Sequence, residues 1–365
     1  LQGVTVVLKD NIDTAGIRTT AGAEFLRNRV PTADATVVTR LIRAGAIVVG
    51  KANMTELAFG VHSRSAVGGQ CCNPWDPTRI PGGSSGGSAV SLAAGFSRAA
   101  LGTDTGGSVR LPAAMSGVAG LRPTHGTVPN TGTLPVSEAF DTVGPMARRV
   151  TDVARLFAVI AGHDPTDPHS TAAPVADVIG SLDGGVRGVR IGVPSNHYFE
   201  GCSDAIVTRV QSALRLLEQA GARLVDVRIP DADQTQDRLT CLLFADACRI
   251  HGERLRSEPA QFSPDVRERM IRGFDYTAVD AAEALRFRRQ WRRTLRELFA
   301  GIDVIASPTV PVVAPPIRDD RSLFESTRAV ARNTFAAALG GIPSLSVPCG
   351  FSDGLPVGLQ LDGPW

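Results

Sequence analysis

The strongest constraint on the fold of this chain is the alternation of short β-branched apolar runs with stretches of helical period. A strand-like run at 3–10 (GVTVVLKD) precedes a helical pattern at 34–46 and a second apolar run, IVVGK. The same order returns in the second half, where runs at 189–194 and 223–230 enclose another helical pattern. Strands that alternate with helices favour an α/β fold around a parallel or mixed sheet.

The chain is long enough to form a large buried core. It has 365 residues, of which 43% are hydrophobic and 20% charged, and this composition is typical of a globular protein. It begins at Leu1 and ends at Trp365, directly after a strand-like segment. We therefore expect residues 1–365 to form one domain that is truncated at both the N- and the C-terminus.

Charge, hydropathy and cysteine content argue against several classes of protein. The 38 Lys and Arg residues nearly balance the 36 Asp and Glu residues, and the Arg-rich segment 286–293 is typical of a solvated helix face, so bulk charge gives no indication of nucleic-acid binding. No apolar run reaches the length of a membrane span, and the default location is the cytoplasm. The six cysteines form no C-x-x-C pair. We expect no metal site and no cofactor.

A Gly/Ser-rich segment at 79–90, RIPGGSSGGSAV, is the first candidate for chemistry. A flexible linker does not fit between a Trp/Pro turn and a small-residue helix pattern. A phosphate-binding loop requires a lysine after its last glycine, whereas Gly87 is followed by Ser88. The segment by itself favours neither a linker nor a nucleotide site.

A second Gly/Ser segment, LGTDTGGSVRLP at 101–112, changes the interpretation. Gly106 and Gly107 allow a tight turn in which successive backbone N–H groups converge on one point. Such a turn can stabilise an oxyanion, with the hydroxyl of Ser108 beside it as a nucleophile. The pattern therefore indicates acyl-transfer chemistry.

A serine nucleophile requires a base, and the chain offers three candidates. His125 lies in a turn without a carboxylate at a recognisable spacing, and no G-x-S-x-G motif supports a Ser-His-Asp triad. Lys9 and Lys51 each end an apolar strand, where burial lowers the pKa of an amine and makes its neutral form accessible. Spacing alone does not choose between the two lysines, and either could be a surface charge.

Several segments together resemble the amidase signature hydrolases. VVLKDNI, PGGSSGGSAV, ALGTDTGGSVRLPAAMSGVAGLRPT and GIPSLSVPCGF are similar to blocks of that family and occur in the same order, over nearly the whole chain. The resemblance implies a single α/β/α domain whose mixed, mainly parallel sheet has about eleven strands flanked by helices. It also implies a Ser-cisSer-Lys triad, in which Lys9 is the base, Ser84 follows a cis peptide bond and relays the proton, and Ser108 is the nucleophile.

The resemblance also implies supporting roles for neighbouring residues. Backbone groups of Thr105, Gly106, Gly107 and Ser108 would bind the oxyanion, and Gly83 would form the turn before Ser84. We interpret Asp104 and Arg110 as an ion pair that supports the nucleophile turn. The acyl pocket is expected to draw on the 125–140 loop and the 195–300 region, with three candidate aromatic members: Phe140, Phe199 and Trp291.

Two functions remain open at this point. One is a stand-alone amidase for a small carboxylic amide, and the other is the glutamine-hydrolysing A subunit of a tRNA-dependent amidotransferase. Ala331 occupies the position where glutamine-using members have an aspartate for the substrate's amino group, and HGTVPNTG replaces their Tyr-Gly-Arg-Val-Ser type segment. These features favour the stand-alone amidase, and the filled triad argues against an inactive relative. The expected partners are a small-molecule amide, no nucleic acid directly, no membrane, and a possible homodimer.

Overall fold

Twelve β-strands and ten α-helices make up the computed structural model, which describes residues 1–365. The strands are β1 (Thr5–Lys9), β2 (Ile47–Ala52), β3 (Arg64–Ser65), β4 (Gly69–Gln70), β5 (Ala99–Asp104), β6 (Ala119–Arg122), β7 (Thr142–Ala147), β8 (Arg190–Pro194), β9 (Arg223–Val227), β10 (Val304–Pro308), β11 (Ser344–Ser352) and β12 (Leu355–Asp362). The helices are α1 (Thr36–Arg43), α2 (Gly86–Ala93), α3 (Arg110–Ser116), α4 (Val150–Ile160), α5 (Asp204–Gln219), α6 (Thr235–Ser257), α7 (Pro264–Ile271), α8 (Ala278–Phe299), α9 (Leu323–Ala331) and α10 (Phe335–Gly340). The predicted strands and the helix at 34–46 are confirmed, the helix with narrower bounds as α1.

Ten strands form one mixed sheet in the order β2-β1-β5-β7-β6-β11-β12-β10-β8-β9, while β3 and β4 form a separate hairpin. The expected number was about eleven. Parallel neighbours lie towards the two edges, where α1 connects β1 to β2 and α5 connects β8 to β9. The central strands pair antiparallel. One reason is the tight turn between β11 and β12, where Asp353 and Gly354 both have positive φ, since a two-residue turn can join only antiparallel strands.

Helices cover both faces of the sheet, as the α/β/α expectation requires. On one face, Leu41 of α1 and Leu156 of α4 pack in a core cluster with Leu8 of β1. A larger core cluster contains residues of α6, α8 and α10, among them Phe244 and Trp291. None of the helices is both long enough and apolar enough to cross a membrane.

The alignment of β1 with β5 decides where the candidate site residues meet. The two strands are parallel neighbours, and Leu8 pairs with Leu101 in their register. Since parallel strands end at the same edge of a sheet, Lys9 and Thr103 are brought together although they are far apart in sequence. The loops that follow β1 and β5 and that precede α2 and α3 therefore converge at this edge.

Candidate active site

Lys9 lies at the carboxyl end of β1 with its ammonium group in the interior. Its Nζ is 2.7 Å from Ser84 Oγ, 2.7 Å from Thr103 Oγ1 and 3.3 Å from the Thr103 carbonyl oxygen. The side chain is fully buried. The structure thus places two of the three predicted triad residues, Lys9 and Ser84, in direct contact.

The surroundings of Lys9 suit a neutral amine. Burial lowers the pKa of Lys9 to about 7, against the opposing effect of the negative charges on Asp141 and Asp104. A neutral amine has two N–H donors and one lone pair, and the three contacts of Nζ match that number. With both N–H groups directed to Thr103, the lone pair faces Ser84 Oγ and can accept its proton.

Ser84 is held in the loop before α2 by contacts of the residues beside it. The Gly83–Ser84 peptide bond is cis. The hydroxyl of Ser85 donates to the Thr103 carbonyl at 3.1 Å, and that of Ser88 donates to the Leu101 carbonyl at 3.0 Å. Gly83 leaves no room for a side chain, because an added Cβ would lie 2.8 Å from the backbone carbonyl oxygen of Val61. Ser85 and Ser88 therefore anchor the loop to β5.

Ser108 lies in the turn between β5 and α3, next to the Ser84 loop. The backbone N–H of Ser85 donates to the Ser108 carbonyl at 3.2 Å, which ties the two segments together. Gly107 has φ of +135°, and an added Cβ there would lie 2.2 Å from Thr334 Oγ1, so only glycine fits.

The backbone N–H groups of the turn differ in their availability. The N–H of Gly107 donates to Asp104 Oδ1 at 2.8 Å and is therefore occupied. Those of Thr105, Gly106 and Ser108 make no hydrogen bond within the protein. Because these three residues line the cavity described below, their N–H groups are the ones free to bind an oxyanion.

A buried ion cluster supports the turn from below. Arg110 donates to both carboxylate oxygens of Asp104, through Nε at 3.0 Å and Nη2 at 3.0 Å, and Arg122 donates to Asp104 Oδ1 at 3.0 Å. All three side chains are fully buried. Burial alone would raise the pKa of Asp104, but the two guanidinium groups hold it well below its usual range. Sequence reasoning found the Asp104–Arg110 pair and missed Arg122, which arrives from β6.

We expect the change Arg122→Met to destabilise the fold strongly. Removing one partner of a buried ion pair leaves uncompensated charge and typically costs about 3–5 kcal/mol. The free energy of unfolding, measured with urea, should fall by that order. A matched control is Arg155→Met, which breaks the exposed pair with Asp152 and should cost less than about 1 kcal/mol. Equal losses in the two variants would contradict a stabilising role for the cluster.

A cavity of about 390 Å³ opens beside Ser108 and is mostly apolar. Its lining residues are Ala58, Phe59, Gly60, Val61, Thr105, Gly106, Ser108, Leu111, Val136, Leu243, Arg269, Thr327, Ala331 and Phe335. Val136 comes from the expected 125–140 loop, and Leu243 and Arg269 come from the expected 195–300 region. The three aromatic candidates Phe140, Phe199 and Trp291 are not among the lining residues.

Arg269 is the one charged side chain that lines this cavity. It is 7% exposed, and its guanidinium group stacks on Phe59 at 4.4 Å and on Phe244 at 5.2 Å from the ring centroids. Its Nε has no hydrogen-bond partner, and burial lowers the pKa of Arg269 to about 9. Sequence reasoning did not single out this residue, since nothing in VRERMIRG distinguishes a cavity arginine from surface ones.

Two other candidate bases are placed away from the serines. Lys51 donates to the Ile12 carbonyl oxygen and to the hydroxyls of Thr14 and Thr19, so it supports the loop after β1. His125 Nε2 lies 3.1 Å from the Glu138 carbonyl oxygen, and burial lowers its pKa to about 4. Neither contacts Ser84 or Ser108. No group of three or more His, Cys, Asp or Glu side chains is placed to hold a metal ion.

Comparison with known families agrees with this geometry. The family model described as Amidase matches residues 1–365. The chain belongs to the amidase family. It is therefore an enzyme of a family that hydrolyses carbon–nitrogen bonds, and the resemblance seen in its motifs is confirmed.

Relatives of known name narrow the comparison within the amidase family. The A subunit of a glutamyl-tRNA(Gln) amidotransferase from Chloroflexus aurantiacus is 40% identical over 390 residues, which cover 100% of this chain and 79% of that relative. The solved structure of the A subunit of the same name from Thermotoga maritima is 36% identical, with a TM-score of 0.87 over 99% of this chain and 80% of that one. A structure described as a vestigial protein complex that reveals the origins of an s-triazine catabolic enzyme is 33% identical, with a TM-score of 0.94 over 100% of this chain and 81% of that one.

These relatives correct the expected partners. A small-molecule amide, no nucleic acid directly, no membrane and a possible homodimer were expected. The Chloroflexus and Thermotoga proteins are named as one subunit of an enzyme of glutamyl-tRNA(Gln), so their names include both an assembly and a nucleic acid. The prediction that excludes nucleic acid is therefore wrong. Balanced net charge misled it, because bulk charge carries no information about a tRNA that is handled by an assembly of several chains.

Proposed function

We propose that this amidase hydrolyses the carboxamide of a small carboxylate-bearing substrate and releases ammonia through an acyl-Ser108 intermediate. Neutral Lys9 takes the proton of Ser84, which takes that of Ser108, while Ser108 Oγ forms a bond to the amide carbon. The free N–H groups of the turn bind the oxyanion. The C–N bond then breaks, the relay returns the proton to the leaving nitrogen, and water hydrolyses the acyl-enzyme. The observation that carries this proposal is the buried contact of 2.7 Å between Lys9 Nζ and Ser84 Oγ.

The carboxylate on the substrate is inferred from Arg269. A buried guanidinium group without a carboxylate partner is costly unless a ligand supplies the negative charge. Its aromatic stacking leaves the donor edge of the planar group available for a bidentate contact. A substrate carboxylate in the cavity would complete this ion pair and set the orientation of the amide.

Two substrate classes meet this requirement. Glutamine is the first candidate, because the relatives are named as the A subunit of glutamyl-tRNA(Gln) amidotransferase, and this chain would then work as one subunit of an assembly of that kind. The second is an acid amide without an amino group. It is favoured by the lack of any acidic side chain among the cavity residues, with Ala331 and Thr327 on the wall, so nothing there neutralises an ammonium group.

The change Arg269→Gln tests the carboxylate contact. Ammonia release is measured with L-glutamine, with glutaramate (the same chain without the amino group) and with pentanamide (neither charge). A hydrogen bond to a charged group contributes about 1.5–3 kcal/mol, so kcat/KM of the variant should fall on the order of 10- to 100-fold for the two anionic amides and much less for pentanamide. Arg269→Lys is the control that retains the charge and should retain part of the preference.

The outcomes separate the parts of the proposal. An equal loss for all three amides would indicate that Arg269 only packs against Phe59 and Phe244. A wild-type preference for L-glutamine over glutaramate supports the amidotransferase role, and the reverse preference supports an acid amidase. If the folded wild-type enzyme releases ammonia from none of a broad panel of amides, the proposed hydrolysis is wrong.

A further inference from the structure

A second carboxyl group, that of Asp141, lies beside the nucleophile turn. It is 4% exposed, at the end of the loop that precedes β7. Oδ1 accepts a hydrogen bond of 2.5 Å from the Thr105 hydroxyl. Oδ2 accepts the backbone N–H groups of Val136 at 2.8 Å and Ser137 at 3.0 Å. Since Thr105 and Val136 both line the cavity, Asp141 connects two of its walls.

The charge of Asp141 is balanced differently from that of Asp104. Asp104 is paired with the guanidinium groups of Arg110 and Arg122. All the side-chain hydrogen bonds of Asp141 come from neutral groups, and the cation that acts on it electrostatically is Lys9. Burial raises the pKa of Asp141 to about 6, so at neutral pH the carboxyl group is mostly ionised.

We propose that Asp141 is a positioning residue for the hydrolytic reaction: it holds the Thr105 turn against the 136–137 wall and supplies the counter-charge for the ammonium group that forms on Lys9. The inference rests on the proposed function, in which Lys9 accepts a proton. Neutral Lys9 has no need of a counter-ion, whereas protonated Lys9 is a buried cation. The carboxylate of Asp141 therefore stabilises the state in which the Ser108 hydroxyl proton has been transferred along the relay.

Other charged groups near the pair do not replace Asp141. Asp104 also attracts the ammonium group of Lys9, but its charge is shared with Arg110 and Arg122 on α3 and β6. On the neighbouring strand, Lys51 is influenced by Asp10, Asp13 and Arg29 and not by Asp141. Asp10 accepts a hydrogen bond from Thr20.

Two variants separate charge from hydrogen bonding. Asp141→Asn removes the charge but retains a side chain that can accept from Thr105. Thr105→Val removes the hydrogen bond and retains the charge. A carboxylate near an amine raises its pKa by one unit or more, so Asp141→Asn should lower the pKa of Lys9 by about one unit, and kcat should fall on the order of 10-fold. Thr105→Val should lower kcat without that shift in the pKa of Lys9.

The pKa of Lys9 can be read directly, because the chain contains two lysines, Lys9 and Lys51. Lysine-selective 13Cε labelling gives one NMR signal for each, and Lys51 serves as the internal control whose pKa should stay unchanged in Asp141→Asn. The acid limb of kcat/KM should move to lower pH with the Lys9 signal. Circular dichroism and urea unfolding establish that both variants are folded.

The possible results are distinct. A Lys9 pKa that is equal in wild-type and Asp141→Asn enzyme would overturn the counter-charge role of Asp141. The same shift in Thr105→Val would show that the turn geometry and not the charge sets the pKa of Lys9, which also overturns it. If wild-type activity does not follow the titration of Lys9 at all, the failure lies with the proposed function.

Discussion

The variant Ser108→Ala is expected to lose nearly all amide hydrolysis, on the order of 10⁶ in kcat, because no other hydroxyl lies in the turn that presents free N–H groups to the cavity. Residual activity would come from substrate binding and the oxyanion donors alone. Ammonia release with the preferred amide measures the loss. Ser91→Ala is the matched control, since Ser91 is a buried serine of α2 that bonds to Ser97 and takes no part in the site.

Covalent labelling distinguishes the two serines of the relay. A serine-reactive sulfonyl fluoride should attach to Ser108, and peptide mass spectrometry should find the adduct on the tryptic peptide that contains it. Ser108→Ala should remain unlabelled, and Ser91→Ala should be labelled as the wild type is. An adduct on Ser84 in the wild-type enzyme would contradict the assignment of nucleophile and relay.

The change Lys9→Met should also abolish turnover, because the proton of Ser84 then has no acceptor at 2.7 Å. Lys9→Arg should be as inactive, since a guanidinium group stays protonated at any working pH. In the wild-type enzyme the neutral amine is the active form. With a Lys9 pKa of about 7, kcat/KM should rise through neutral pH, reach a plateau above it, and be about one tenth of the plateau one unit below the pKa.

The pH profile and the lysine signal must agree if Lys9 is the base. The 13Cε signal that disappears in Lys9→Met should titrate at the same pH as the acid limb of kcat/KM in the wild-type enzyme. A limb that persists in an active Lys9→Met variant would assign the base to another group. Labelling of Ser108 by the sulfonyl fluoride should slow in parallel at low pH, because the same base activates the hydroxyl.

Local sequence was informative wherever the backbone itself carries the chemistry. The paired glycines before Ser108 predicted a turn with convergent N–H groups, and apolar periodicity predicted β1, α1 and β8. Which of those N–H groups are free could not be predicted. Gly107 donates to Asp104, and that contact depends on how the turn folds back over β5.

Side chains that act from distant segments escaped prediction for a physical reason. Arg269 on α7 and Asp141 before β7 reach the cavity only because helices and loops from separate parts of the chain pack around Ser108. In sequence, an arginine on an amphipathic helix is indistinguishable from a solvated one. The choice between Lys9 and Lys51 shows the same limit, since both end apolar strands and both are desolvated.

The sequence by itself determined the α/β class, the family and the residue types available for acyl transfer, because strand and helix periods and the Gly/Ser turns are local properties. The tertiary structure decided which lysine meets Ser84, through the parallel pairing of β1 with β5. It also decided the character of the cavity, with one unpaired guanidinium group and no carboxylate on its walls. Desolvation and charge pairing depend on what surrounds a residue in three dimensions, and that environment is assembled only when the chain has folded.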